Sequence, residues 1–324
     1  MSASKAELSL PAQKVHAKSL ASMKQLMARI WAYRLSYLFA SPFVLVFLVF
    51  ILIPVIAAIG LSFTYFNGME VPVFTGWKNY EYLLSQDLIF LKYALPNTLT
   101  YALIVGPGGY AAAFILAWLI SQTPTKLRTL FALAMYAPSM TAGVSLSMIW
   151  QPMLSGDRLG YLNSFLLNMG IIDEPQLWTL DKSYLMDVMI VVSAWSSMGI
   201  GFLALLAGLL NVDKTLYEAA RIDGVKSRLQ EIWFITIPAM KPQMLFAAVM
   251  AIVGSFKQGN IGTILSGRNP TPEYAGHLIV SHIEDYGLIR FELGYASALT
   301  VILLIIILIA NRISWKLFGP KEGE

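Results

Sequence analysis

Apolar residues in this chain run in long stretches free of charge, and the ionisable side chains cluster between them. Crossing about 30 Å of hydrocarbon takes roughly 20 helical residues, and gaps of about that length occur six times. The first lies between Arg34 and Glu70, with its apolar centre over residues 37–63, and the second, between Lys92 and Lys126, is centred on residues 98–120. The third and fourth cover residues 130–150 and 188–210, the fifth begins after Lys241 and is cut short at Lys257, and the sixth lies between Glu292 and Arg312. Lipid offers no partners to backbone groups, and no alternating ten-residue pattern points to a barrel, so the six stretches predict helices.

Composition supports a membrane class. Of 324 residues, 57% are hydrophobic and 13% charged, whereas a soluble domain carries about a quarter charged residues. The mean hydropathy is +0.63. In such a chain the placement of charge matters more than the net value of +4, and no nucleic-acid partner is implied. The absence of Cys excludes disulfides, thiolate metal sites and thiol nucleophiles. Lys and Arg number six before the first span, two in the 2–3 turn, five in the 4–5 loop and three after the last span. The alternate connections hold two, two and three. The positive-inside rule therefore puts both termini in the cytoplasm. The first span starts too far in, and is too long, for a signal peptide, so it reads as a retained anchor. The expected organisation is a basic cytoplasmic tail over residues 1–36, solvated or docked on the membrane surface, a six-helix domain over 37–311, and a cytoplasmic tail over 312–324.

The 4–5 connection, residues 211–242, has an internal design. Asp213 can cap a short helix through Tyr217, Glu218, Ala219, Ala220 and Arg221 that stops at Gly224. Ser227 and Gln230 have capping-box spacing for a second helix, and Pro238 and Pro242 precede the fifth span. Two short helices meeting at a glycine make an elbow. Ala219 and Ala220 would let another protein's surface approach the backbone here closely, with Glu218 and Arg221 as charged contacts at the rim; an amphipathic elbow could equally lie on the membrane surface.

Glu218-Ala219-Ala220, three residues, Gly224, then Ile235-Thr236-Ile237-Pro238 resembles the EAA loop of the permease subunits of binding-protein-dependent ABC importers. Gly76-Trp77-Lys78-Asn79-Tyr80, Asn97-Thr98, Trp195 and Gly294-Tyr295-Ala296-Ser297-Ala298 are similar to the carbohydrate branch of that family, which includes maltose, lactose and glycerol-phosphate permeases. The likeness covers roughly residues 35–315. Two departures stand out: Gly224 to Pro238 is one position longer than the family pattern, and Ile237 replaces the customary Leu. An extra residue turns a helix by about 100°, and the turn at Val225 and Lys226 is where it is expected to be absorbed.

The resemblance implies a second permease chain, a dimer of cytoplasmic ABC ATPases docked on the elbow, and an extracytoplasmic sugar-binding protein, in a bacterial inner membrane. This chain has no Gly-Lys dipeptide and so no Walker A loop. It is expected to hold no cofactor and to be no enzyme, ATP and Mg being used by the ATPase chains. The glycine-rich segment 106–109 reads as a packing surface or kink. His16, His277 and His282 are the only histidines; they are expected to be exposed loop residues, and no metal site is expected.

Sugar recognition needs hydroxyl and amide partners and aromatic faces around a water-accessible cavity. By resemblance to the maltose permease, that role falls on Trp195, Ser196, Ser197, Gln258 and Asn260. The serines could instead bond back to their own helix, and Trp195 lies too deep for an interfacial belt. Lys257 sits roughly 23 Å along the fifth helix from Pro242. It can snorkel to the outer face, or face the pathway and favour an acidic sugar such as a uronate oligosaccharide.

The sequence therefore reads as an all-α, six-span permease subunit of an importer for a sugar or oligosaccharide. A secondary transporter is the rival, but every Asp and Glu lies outside the charge-free cores. A membrane scaffold gives no reason for the elbow.

Overall fold

The computed structural model describes residues 31–140 and 143–319. Among them the regular elements are helices and one two-stranded hairpin. Helix α1 is Arg34–Leu61; residues up to Ala57 form a unit apart from the rest, and α1 is described by itself. Its first turn takes in Arg34, whose guanidinium lies 4.7 Å over the Trp31 ring. Strands β1 (Thr64–Tyr65) and β2 (Val73–Phe74) pair antiparallel, with Thr64 opposite Phe74. Then come α2 (Lys78–Ser85), α3 (Phe90–Ser121), α4 (Thr125–Tyr136), α5 (Gly143–Met153), α6 (Tyr161–Asn168), α7 (Lys182–Ser196) and α8 (Ile200–Asn211). The chain continues through α9 (Lys214–Ile222), α10 (Arg228–Ala239), α11 (Lys241–Phe256), α12 (Ile261–Ser266), α13 (Ile279–Glu284) and α14 (Leu293–Phe318).

Three helices, α1, α3 and α14, are long and apolar enough to cross a membrane alone, and the pairs α4 with α5, α7 with α8 and α10 with α11 become so when joined. Halves α7 and α8 meet at 43°, and α10 and α11 at 85°. The tail expected over residues 1–36 lies outside the described residues up to position 30. At the other end the helix runs seven residues past Asn311 rather than stopping there. Ser314 is buried and the Phe318 ring packs on Tyr110 of α3, centroids 5.8 Å apart. Positions 320–324 lie outside the described residues.

Helix α3 packs against α7, α8 and α11. Small side chains permit this: a Cβ on Gly106 would meet Ser255 Oγ of α11 at 3.1 Å, and one on Gly109 would meet Ser197 Oγ at 2.9 Å. The segment 106–109 is thus a packing surface, where absent side chains let helices approach.

Polar residues brace the connections before α2, between α12 and α13, and at the start of α13. Asn79 Nδ2 donates to the Ser62 and Thr64 carbonyls, at 2.8 and 2.9 Å, and the Tyr80 hydroxyl donates to Ser62 Oγ. Asn97 Nδ2 donates to the carbonyls of Tyr274 and His277, and Thr98 Oγ1 accepts from the Ile279 amide at 2.8 Å. Several motif residues of the sequence are therefore braces for backbone that would otherwise be unpaired.

His277 and His282 correct the expectation of exposed loop histidines: they are 4% and 1% exposed. His282 lies in α13 and His277 just before it, and both find polar partners in the interior. Asp87, 3% exposed, accepts from His282 Nε2 at 2.8 Å and from the Tyr295 hydroxyl at 2.6 Å, and His282 Nδ1 lies 3.0 Å from His277 Nε2. His16 lies outside the described residues. Burial alone would raise the Asp87 carboxyl, but hydrogen bonds from His282, Tyr295 and the Phe90 amide bring it down to about 2. Burial, with the nearby His282, pushes His277 down to about 4. Both shifts favour the folded state at neutral pH. Stability is expected to fall as pH drops from 6.5 toward 4 through His277, and again from 3.8 toward 2 through Asp87. Thermal unfolding in detergent across pH 7 to 4 checks this; a midpoint independent of pH in that range would contradict the buried network.

Candidate functional site

The elbow forms as its sequence pattern predicts. Asp213 caps α9 by accepting from the Thr215 amide at 2.9 Å. The helix ends with the Val225 amide on the Ala220 carbonyl, and Gly224 turns the chain at φ +94°. Few residues other than glycine tolerate that conformation. The Ser227 hydroxyl accepts from the Gln230 amide at 3.2 Å, and Gln230 Oε1 accepts from the Ser227 amide at 3.1 Å, completing the capping box. Between this cap and Pro238 lies a π-helical turn, Ile232–Thr236. A π turn holds one residue more than an α turn, so this turn offers a place for the extra residue other than the expected one at Val225 and Lys226.

Glu218, Ala219 and Gly224 are exposed, and Ile222 is 87% exposed beside them. Ala220 and Tyr217 are half-buried, and the Tyr217 hydroxyl lies 2.9 Å from Thr236 Oγ1. Arg221 is exposed at the rim and also pairs within the elbow, its Nε donating to Glu231 Oε1 at 3.2 Å.

A cavity of about 560 Å³ opens where α7 breaks into α8. It is lined by Ser193, Ser196 and Ser197 of this break, by Tyr101 and Tyr110 of α3, and by Gln258 beyond α11, and its described lining residues carry no charge. The Tyr101 hydroxyl donates to Ser193 Oγ at 2.7 Å; Ser197 Oγ donates to the Ala194 carbonyl at 2.7 Å, and Ser196 Oγ to the Ser193 carbonyl at 3.2 Å. Back-bonding thus uses the protons of Ser196 and Ser197 and leaves their oxygens as acceptors, while Ser193 Oγ already accepts from Tyr101. The first amides of α8, at Ile200, Gly201 and Phe202, have no intrahelical acceptor, and all three residues line the cavity. The buried Tyr110 hydroxyl has no partner among the described residues. Donors and acceptors around an uncharged space suit a polyhydroxylated ligand.

Three expected pocket residues lie elsewhere. Trp195 packs edge-on against Trp150, centroids 5.5 Å apart, and is 41% exposed, because it occupies a different face of α7 from the serines. Lys257 follows the last residue of α11 with its side chain exposed, one position before Gln258. Asn260 is exposed and hydrogen-bonds Glu284. Conversely, Tyr101 and Tyr110 carry no signal in the sequence beyond being aromatic in an apolar run.

Residues 125–317 match the family model described as binding-protein-dependent transport system inner membrane component. The chain belongs to this family. It is 34% identical to the arabinooligosaccharides transport system permease protein AraP of Bacillus subtilis, over 89% of this chain and 90% of that protein. It is 30% identical to the lactose transport system permease protein LacF of Rhizobium radiobacter, over 89% and 94%. Among solved structures, a chain of a bacterial ABC transporter involved in the import of the acidic polysaccharide alginate has a TM-score of 0.72 at 24% identity, covering 90% of this chain and 99% of that one. The fold is therefore that of an ABC importer's membrane subunit.

Proposed function

We propose that this chain is one of two permease subunits of an ATP-driven importer that moves an oligosaccharide across a bacterial inner membrane. The uncharged, hydroxyl-lined cavity at the α7–α8 break is the observation that carries the reading. In it the chain crosses the bilayer six times, by α1, α3, α4 with α5, α7 with α8, α11 and α14, with both termini and the elbow in the cytoplasm. Its elbow, through Tyr217, Glu218, Ala219, Ala220 and Gly224, receives a dimer of ATPases. An extracytoplasmic binding protein delivers sugar on the other side. ATP and Mg act in the partner chains, and no cofactor is assigned to this one. Closure of the ATPases draws the elbows together and opens the cavity outward.

Ser196, Ser197 and Gln258 bind the sugar in this reading. Trp195, Lys257 and Asn260 lie outside the cavity of this single chain and would meet sugar only on its way in. An uncharged cavity calls for a neutral sugar, whereas Lys257, exposed beside Gln258, is the group through which an acidic one would be preferred. Uptake into proteoliposomes holding the full complex, with loaded binding protein, distinguishes these. Lys257→Gln is expected to lower uptake of an oligoalginate by about tenfold or more while sparing a neutral arabino-oligosaccharide. Equal uptake of both sugars by variant and parent would remove the acidic preference; no ATP-dependent uptake of any oligosaccharide by the parent would remove the proposed function.

A further inference from the structure

The joint of the elbow is a glycine with no side-chain packing of its own, since a Cβ on Gly224 would meet nothing within 4 Å. Force applied to α9 could therefore be lost in rotation about Gly224 before reaching α10 and α11. Two side-chain links cross the joint. One is the contact between Tyr217 Oη and Thr236 Oγ1 at 2.9 Å. The other centres on Glu231, in the first turn of α10. This residue is 8% exposed, and its two carboxylate oxygens accept separately, Oε1 from Arg221 Nε across the joint at 3.2 Å and Oε2 from Arg228 Nη1 on its own helix at 2.8 Å. Burial alone would raise its carboxyl, and the hydrogen bonds and charges of Arg228 and Arg221 outweigh that and lower it, so Glu231 is ionised at neutral pH.

The pairing is asymmetric in a useful way. Arg221 and Arg228 keep much of their side chains in solvent, at 57% and 63% exposure, while the carboxylate between them is enclosed. Glu231 Oε1 holds Arg221 of α9 across the joint, while Oε2 pairs with Arg228 within α10. Arg221 directly follows Ala219 and Ala220, the surface on which small side chains allow close approach, so fixing Arg221 fixes the pitch of that surface.

We infer that Glu231 is a positioning residue for energy coupling, the carboxylate clasp that makes the two helices of the elbow move as one lever. This rests on the reading of the elbow as an ATPase dock. The test uses the full complex in proteoliposomes, with sugar moved per ATP hydrolysed as the readout and ATPase retention measured alongside. Glu231→Gln keeps the side-chain volume and loses the charge, and Glu231→Ala removes both. Both are expected to lower the sugar-to-ATP ratio by about fivefold with the ATPase still bound, the modest size expected for a partly solvated ion pair. Arg228→Ala leaves the link across the joint and is expected to stay near the parent ratio.

An unchanged ratio in both Glu231 variants overturns the inference. So does a fall in transport strictly proportional to lost ATPase, which would make Glu231 a docking or folding residue only. An equal fall in Arg228→Ala would assign the effect to surface charge and overturn it as well. If the parent itself shows no sugar uptake driven by ATP, it is the proposed function that fails, and the two failures are distinct.

Discussion

Replacing Gly224 with valine is expected to remove most sugar-stimulated ATP hydrolysis from the assembled complex while leaving insertion in the membrane intact. At φ +94° a β-branched residue is a conformational outlier costing on the order of 1 to 3 kcal/mol. The added side chain would meet open space, so the cost comes from the backbone and not from a clash. An exposed turn relieves such strain by changing its own dihedrals, which swings α9 relative to α10 rather than disturbing the buried helices. A swing at the joint moves the whole Glu218, Ala219 surface, and coupling is expected to fall about tenfold or more. Gly224→Asn should retain more activity, because asparagine tolerates left-handed backbone better. ATPase assays on reconstituted parent and variants decide the matter; normal stimulation in Gly224→Val would remove the joint from the mechanism.

Gly294→Ala should instead be a folding lesion. The first turn of α14 lies directly on the backbone of the β1 strand, and a Cβ at this position would overlap the Thr64 carbonyl oxygen, with the Thr64 carbon and Phe66 nitrogen both at 3.1 Å. None of these atoms belongs to a side chain that could rotate away. The Gly294 amide also donates to the Phe66 carbonyl at 3.1 Å, and Asn79 holds the Thr64 carbonyl from its other side. Helix and hairpin must separate to admit one methyl group, at about 2 to 3 kcal/mol, which lowers the unfolding midpoint by roughly 5 to 10 °C. Gly108→Ala is the comparison, since a Cβ there meets nothing within 4 Å. Detergent-phase melting of both variants against the parent tests the close approach, and a Gly294→Ala chain melting with the parent would disprove it.

The elbow was legible in the chain because its determinants are local. Asp213, Gly224 and the Ser227, Gln230 pair act on backbone groups within a few positions, so spacing alone determined two capped helices and the joint between them. The helical, membrane-spanning character was equally legible, since hydrocarbon admits only chains that satisfy their own hydrogen bonds. Which residues share a space was not. Ser196 and Ser197 lie beside the break after α7 and face the cavity, while Trp195, one position earlier, points about 100° away toward Trp150. Which face of α7 meets the cavity is settled by how that helix packs in the folded chain and not by the order of its residues. The burial of His277 and His282 likewise depends on Asp87, some 190 positions earlier, and the Glu231 clasp needs two helices folded back on each other before its arginines converge. Local chemistry determined the elements of this protein; pairings between distant residues, whose energies exist only once the chain has closed on itself, decided its site.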